Sequence, residues 1–105
     1  MGVKSYRVRI HSDALRELEG IYRFIGEDSP ARARRFTEGL KRKILALGRF
    51  PRRGRRVELL EGPGGGPEIR FIEHNGYLIF YTVEVHSVLV LHLTAPGRDW
   101  RGLFL

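Results

Sequence analysis

The chain has 105 residues and carries 19 Lys and Arg against 12 Asp and Glu, a formal charge of +7. It has no cysteine, which excludes disulfides and thiolate metal sites and fits a reducing cytoplasm. The length predicts one domain, residues 1–105, and no apolar run reaches the length of a signal-peptide core or a membrane span.

The charge is concentrated in one segment. Between Pro30 and Arg56, eleven Lys or Arg stand against a single acid, Glu38, and the rest of the chain is net acidic. A basic segment on a small domain points to an acidic or polyanionic partner. Arg52, Arg53, Arg55 and Arg56, set around Gly54 in "FPRRGRRVELL", are its densest part.

In chain order, "SYRVRI" alternates and predicts a first strand over residues 5–10. Ser12 or Asp13 is then expected to open a helix, with Asp13 and Glu17 near its positive end. Leu15, Leu18, Ile21, Tyr22 and Ile25 follow helical spacing. Ser29 suits an N-cap and Pro30 a first helical position, so a second helix runs to about Leu47 with Phe36, Leu40, Ile44 and Leu47 as its apolar stripe. The short junction makes an αα-hairpin.

Residues 51–67, ending in "GPGGGP", read as one long connection without a packed element. Beyond it, "EIRFIEH" and "YLIFYTVE" flank Asn75-Gly76, a strong hairpin signal, and "SVLVLHLTA" supplies a further strand. The later two runs are apolar on both faces, so both faces of the sheet centre are expected to be covered. Pro96-Gly97 stops the last strand, and "RDWRGLFL" suggests one helical turn. The order β-α-α-β-β-β predicts an α+β fold: a helical hairpin packed on a small, mainly antiparallel sheet.

The pieces "YRVRIHSDALRELEGIYRFI", "DSPARARRFTEGLKRKILALGRFPRRGR" and "EIRFIEHNGYLIFYTVEVHSVLVLHLTAPGRDW" together resemble the RelE/ParE superfamily of bacterial toxins from type II toxin–antitoxin systems. The "FP..GR" after the second helix, the "Y.I.Y.V" of the hairpin and the terminal "GRDW" carry the likeness, which is closer to ParE than to RelE. The resemblance implies a bacterial cytoplasmic toxin that needs no cofactor or metal and is neutralised by a cognate antitoxin in a hetero-oligomer. A ParE-type toxin implies binding to a DNA gyrase subunit; a RelE-type toxin implies metal-independent cleavage of messenger RNA on the ribosome. A third possibility is a family member that has lost toxicity and persists as a binding module.

The residues separate these implications in part. Metal-free RNA cleavage needs a base, an acid and cations for the developing phosphorane charge. Arg70 and the loop arginines can supply cations, and Tyr81, His92, Glu68 or His74 could serve acid–base work. The tail reads "TAPGRDW", with Ala95 and Pro96 where family members carry a His or Tyr, and no paired constellation stands out. The expectation is therefore no catalytic residue; a nuclease would have to use Arg70, Tyr81, His92 and Glu68.

Simpler roles account for several of these side chains. His92 lies in an apolar strand and reads as a packed or hydrogen-bonded histidine; His86 reads as a turn residue. Tyr77, Phe80 and Tyr81 read as sheet packing, and Trp100, Leu103 and Phe104 as docking of the C-terminus. A single-stranded nucleic acid site would interleave aromatics with the basic groups, and the loop offers none after Phe50. The expected partner-binding residues are Arg49, Arg52, Arg53, Arg55 and Arg56, with Arg70, Arg98 and Trp100. An arginine is too basic to be a general base at neutral pH, so the cluster reads as a recognition surface.

Overall fold

The computed structural model describes residues 5–57 and 68–104. The elements are β1 (Arg7–Ile10), α1 (Ser12–Asp28), α2 (Pro30–Ala46), β2 (Arg55–Arg56), β3 (Ile69–His74), β4 (Tyr77–Val83) and β5 (Ser87–Thr94), with a final 3-10 turn at Arg101–Leu103. Five strands form one sheet in the order β1-β5-β4-β3-β2. The β1–β5 pair is parallel and the others antiparallel. Two helices on a mixed sheet make the α+β fold expected from the sequence.

The helix boundaries follow their capping chemistry. The Ser29 side chain accepts from the Arg32 amide, and Pro30 occupies the first helical position of α2, where its missing N–H is no loss. Helix α1 opens at Ser12 as expected, and His11 is its N-cap, its Nδ1 accepting from the Asp13 amide at 3.0 Å. The His11 amide donates to the Val90 carbonyl at 2.8 Å. One residue thus ends the β1–β5 ladder and begins the helix. The β3–β4 hairpin turns at Asn75 and Gly76 with φ of 50° and 85°, the left-handed pair that an Asn-Gly turn supplies.

Both faces of the sheet are covered. On the helical face, Leu18 and Ile21 of α1, Leu40 and Ile44 of α2 and its C-cap Leu47 bury against Ile79, Tyr81, Val88 and Val90. On the other face, Phe80 is fully buried, and Trp100 and Phe104 of the C-terminal tail pack on it with ring centroids at 5.1 and 5.2 Å. Each such ring pair contributes about 0.5–1.5 kcal/mol beyond burial. Two α1 positions of the expected stripe, Leu15 and Tyr22, are exposed instead.

The segment after α2 departs most from expectation. Residues 51–57 are packed, not a bare connection. Pro51, Gly54 and Val57 are buried while Arg52, Arg53, Arg55 and Arg56 are exposed. Arg55 and Arg56 form the two-residue edge strand β2 against Phe71 and Arg70. Buried positions three residues apart give neither a strand nor an obvious helix pattern, so the sequence hides them. The "GPGGGP" stretch read as linker lies outside the described residues.

Candidate functional site

The arginine loop is pinned to the sheet by a small set of contacts at Gly54. Its amide donates to the Tyr81 hydroxyl at 2.9 Å. A Cβ at position 54 would stand 2.5 Å from that hydroxyl and 2.7 Å from the Phe71 carbonyl, so the approach requires a glycine. Arg70 holds the same loop. Its Nη1 donates to the Gly54 carbonyl at 2.8 Å and to the Arg52 carbonyl at 3.2 Å, and its Nε donates to Glu68 at 2.8 Å.

The electrostatics follow from this arrangement. Glu68 faces Arg70 and, at 3.7 Å, Arg56. The Arg70 hydrogen bond, with the fields of Arg70, Arg56 and Arg52, holds its carboxyl below the usual range. A single carboxylate thus offsets part of the repulsion among the clustered guanidiniums. Burial pushes the Tyr81 phenol upward, against the Gly54 hydrogen bond and the Arg70 and Arg53 fields that favour its ionised form. Tyr81 is fully buried and therefore neutral and enclosed at pH 7.

Of the four residues a nuclease would need, Glu68, Arg70 and Tyr81 meet at Gly54. His92 has other neighbours: its Nδ1 lies 3.3 Å from the Glu17 carboxylate and its ring packs edge-on against Phe104 at 5.5 Å. Strict alternation places His92 on the face of Val88 and Val90. The ladder shifts between Phe80 and Tyr81, which pair with His92 and Val90. That irregularity leaves Leu91 without a partner and turns His92 to the face of Phe80.

The expected partner-binding residues are spread over several places. Arg49, Arg52, Arg53, Arg55 and Arg56 are exposed along the loop. Arg70 lies beneath them with only 13% of its side chain exposed. Arg98 borders a groove between α1 and the end of β5 with Glu17, Phe24 and Leu93. Trp100 packs on Phe80 and carries Arg101 over its ring at 5.3 Å.

Two further features stand out, the first of them outside the sequence reading. Glu17 reaches beyond the end of β1 and accepts the Leu93 amide of β5 at 3.0 Å. A side chain thereby satisfies a strand edge that β1 is too short to cover. The second is a groove of about 550 Å3 along the helical hairpin, lined by Leu18, Tyr22, Thr37, Glu38 and Lys41 among others. Exposed Leu15 and Tyr22 lie seven residues apart on α1, and exposed Leu45 follows Glu38 and Lys41 at helical spacing on α2. Leu15 and Tyr22 fit the apolar stripe in the sequence, and only the structure shows them exposed.

Among the described residues, no cluster of His, Asp or Glu could hold a metal ion, and no helix is long and apolar enough to cross a membrane.

A helical hairpin on a mixed five-stranded sheet, with a basic loop anchored at its edge, defines a small α+β protein. Residues 8–100 match the family model of the ParE toxin of the parDE type II toxin–antitoxin system, and the chain belongs to that family. It is a ParE-type toxin within the RelE/ParE superfamily. The chromosomal ParDE TA system from P. aeruginosa contains a chain of similar fold, with a TM-score of 0.68, 15% identity, and coverage of 90% of this chain and 99% of that one. The archaeal RelE-RelB complex from Pyrococcus horikoshii contains another, with a TM-score of 0.55, 26% identity and the same coverages. No curated protein matches the chain.

Proposed function

We propose that this toxin acts by binding DNA gyrase in the cytoplasm, and that a cognate antitoxin neutralises it in a hetero-oligomer. One observation carries the preference for a binder over a nuclease. The polar groups that could cleave RNA are engaged in holding the loop: Tyr81 with the Gly54 amide, and Arg70 with two carbonyls and Glu68. A general acid or base must reach the proton it transfers, and the Tyr81 hydroxyl is enclosed. The exposed arginines remain as a charged recognition surface, which steers association and fixes register.

The groove along the hairpin suits an amphipathic antitoxin segment, whose apolar side chains would cover Leu15, Tyr22 and Leu45. Hydrogen exchange with and without the antitoxin tests this part. Protection of α1 and α2 amides is expected, and protection confined to residues 62–67 would reject it.

The alternative is a RelE-like messenger RNA endonuclease. Glu68, Arg70 and Tyr81 do meet beside the arginine loop, and the RelE-RelB neighbour has the same fold. The deciding experiment induces the protein alone in bacteria and follows supercoiling and the DNA-damage response against messenger RNA cleavage. His92→Gln is expected to keep toxicity. Ribosome-dependent cleavage abolished by that change would promote the nuclease, which stands to lose roughly 10²–10⁴-fold in rate.

A further inference from the structure

Helix α2 carries a second basic feature, apart from the arginine loop. Arg32, Arg35, Gly39 and Arg42 recur at helical spacing and share one face. That face borders a groove of about 350 Å3, where Arg32, Arg35, Phe36 and Gly39 meet His74 at the tip of the β3–β4 hairpin. The Arg32, Arg35 and Arg42 side chains are exposed and have no ion pair among the described residues. No carboxylate lines the groove.

Gly39 is the informative residue. A glycine in a helix interior weakens it relative to alanine. Packing does not demand one here, since a Cβ would stand 3.5 Å from His74 Nε2 and 3.9 Å from Arg42 Nη2, both ordinary contacts. The absent methyl leaves open the space where a hydrogen-bond partner of Nε2 would sit, with the Arg42 guanidinium beside it. The floor is aromatic: Phe36 packs against His74 with ring centroids at 5.5 Å.

We propose that this groove is a binding site for a phosphate group, held by Arg35, Arg42 and Arg32 and by the Nε2 of His74 over the open floor at Gly39. Guanidinium forks match phosphate oxygens in charge and geometry. An imidazole adds a donor whose strength rises when an anion arrives. Burial and the fields of Lys43 and Arg42 keep the free His74 ring below its ordinary value, hence neutral at pH 7. Its other neighbours are Tyr77, opposite it in the hairpin, and Glu73, whose carbonyl accepts from Lys43. The site is separate from the gyrase and antitoxin surfaces proposed above, so its fate does not depend on theirs.

The test is a proton NMR titration of the full chain at pH 7, following the His74 ring, assigned by its loss in His74→Gln. Inorganic phosphate is compared with chloride and acetate at matched ionic strength. Phosphate is expected to shift the ring saturably and raise its titration midpoint, with chloride inert and acetate at least tenfold weaker. Arg35→Gln with Arg42→Gln should abolish the effect. Gly39→Ala should keep or raise thermal stability while weakening phosphate at least tenfold. An octathymidylate arm names the source: tighter binding than inorganic phosphate marks a nucleic acid backbone, and equal binding marks a free phosphate. A ring that responds alike to phosphate and chloride overturns the proposal. So does acetate binding as tightly as phosphate, or unchanged phosphate affinity in folded Gly39→Ala or the double arginine variant.

Discussion

The Gly54 amide donates to the Tyr81 hydroxyl at 2.9 Å, and this bond joins the arginine loop to the buried centre of the sheet. Two substitutions probe it. Gly54→Ala places a methyl 2.5 Å from the hydroxyl, and the loop must move to accept it. A loss of about 1–3 kcal/mol is expected from such overpacking. Tyr81→Phe keeps the ring but leaves a buried N–H without its acceptor, at about 1–3 kcal/mol. Urea denaturation of both variants measures the losses, and wild-type stability in either would remove the anchor.

Arg70 makes a parallel prediction. Its guanidinium donates to two loop carbonyls and one carboxylate. A lysine retains the charge but cannot reproduce that fork. Arg70→Lys should therefore resemble Arg70→Gln, with faster amide exchange over residues 52–57 in both. A lysine variant as protected as wild type would show that charge alone holds the loop.

Changing Arg52, Arg53, Arg55 and Arg56 together to Gln should leave the fold intact, because all four are exposed and such charges contribute little to stability. Antitoxin association should slow while dissociation changes little, and the wild-type association rate should fall as salt is added. Surface plasmon resonance at low and high salt reads both effects. Equal association rates at low salt would take the loop out of the interface.

The pH dependence has a defined sign. His74 is held below its ordinary 6.5 and Glu68 below 4.5. For both groups the unfolded chain binds its proton first as pH falls, so stability declines below about pH 6.5 and again below 4.5 through the lower folded values. Tyr81 is raised above 10.0. Its contribution is complete below that pH and is lost as pH rises from there through the folded value. His74→Gln should flatten the limb just below pH 6.5, seen by urea denaturation across pH 5–8, and an unchanged slope would assign that limb to other groups.

Glu17 offers a cleaner test of the sheet edge. Glu17→Gln keeps an oxygen for the Leu93 amide, whereas Glu17→Leu removes it and exposes an N–H. The leucine variant should lose about 1–3 kcal/mol, the glutamine variant less than half of that, with Leu93 amide exchange as readout.

The order of the helices and main strands was legible because each announces itself locally. Ser29-Pro30 starts α2, Asn75-Gly76 turns the hairpin, and apolar β-prone runs mark β3 to β5. What stayed hidden depends on residues distant in the chain. Val57, Gly54 and Pro51 bury only because β3 and Tyr81 stand opposite them. His92 changes face through a ladder irregularity that no spacing rule reveals. Leu15 and Tyr22 fit the helical stripe as well as Leu18 and Ile21 do, and only the position of the sheet decides which are covered. The candidate site was half legible: the arginines were plain in the sequence, but the carbonyls of Arg52 and Gly54 that Arg70 holds depend on the loop lying beside β3.

The parallel pairing of β1 with β5 runs from Arg7 opposite Ser87 to Ile10 opposite Val90, joining segments 80 residues apart in sequence. Contacts so far apart in sequence form late, since most of the chain must be ordered before they close. The helical hairpin can form locally before they close, but the strand beside it then has nothing to pair with. Until β5 docks, the open edge of β1 can accept another extended segment.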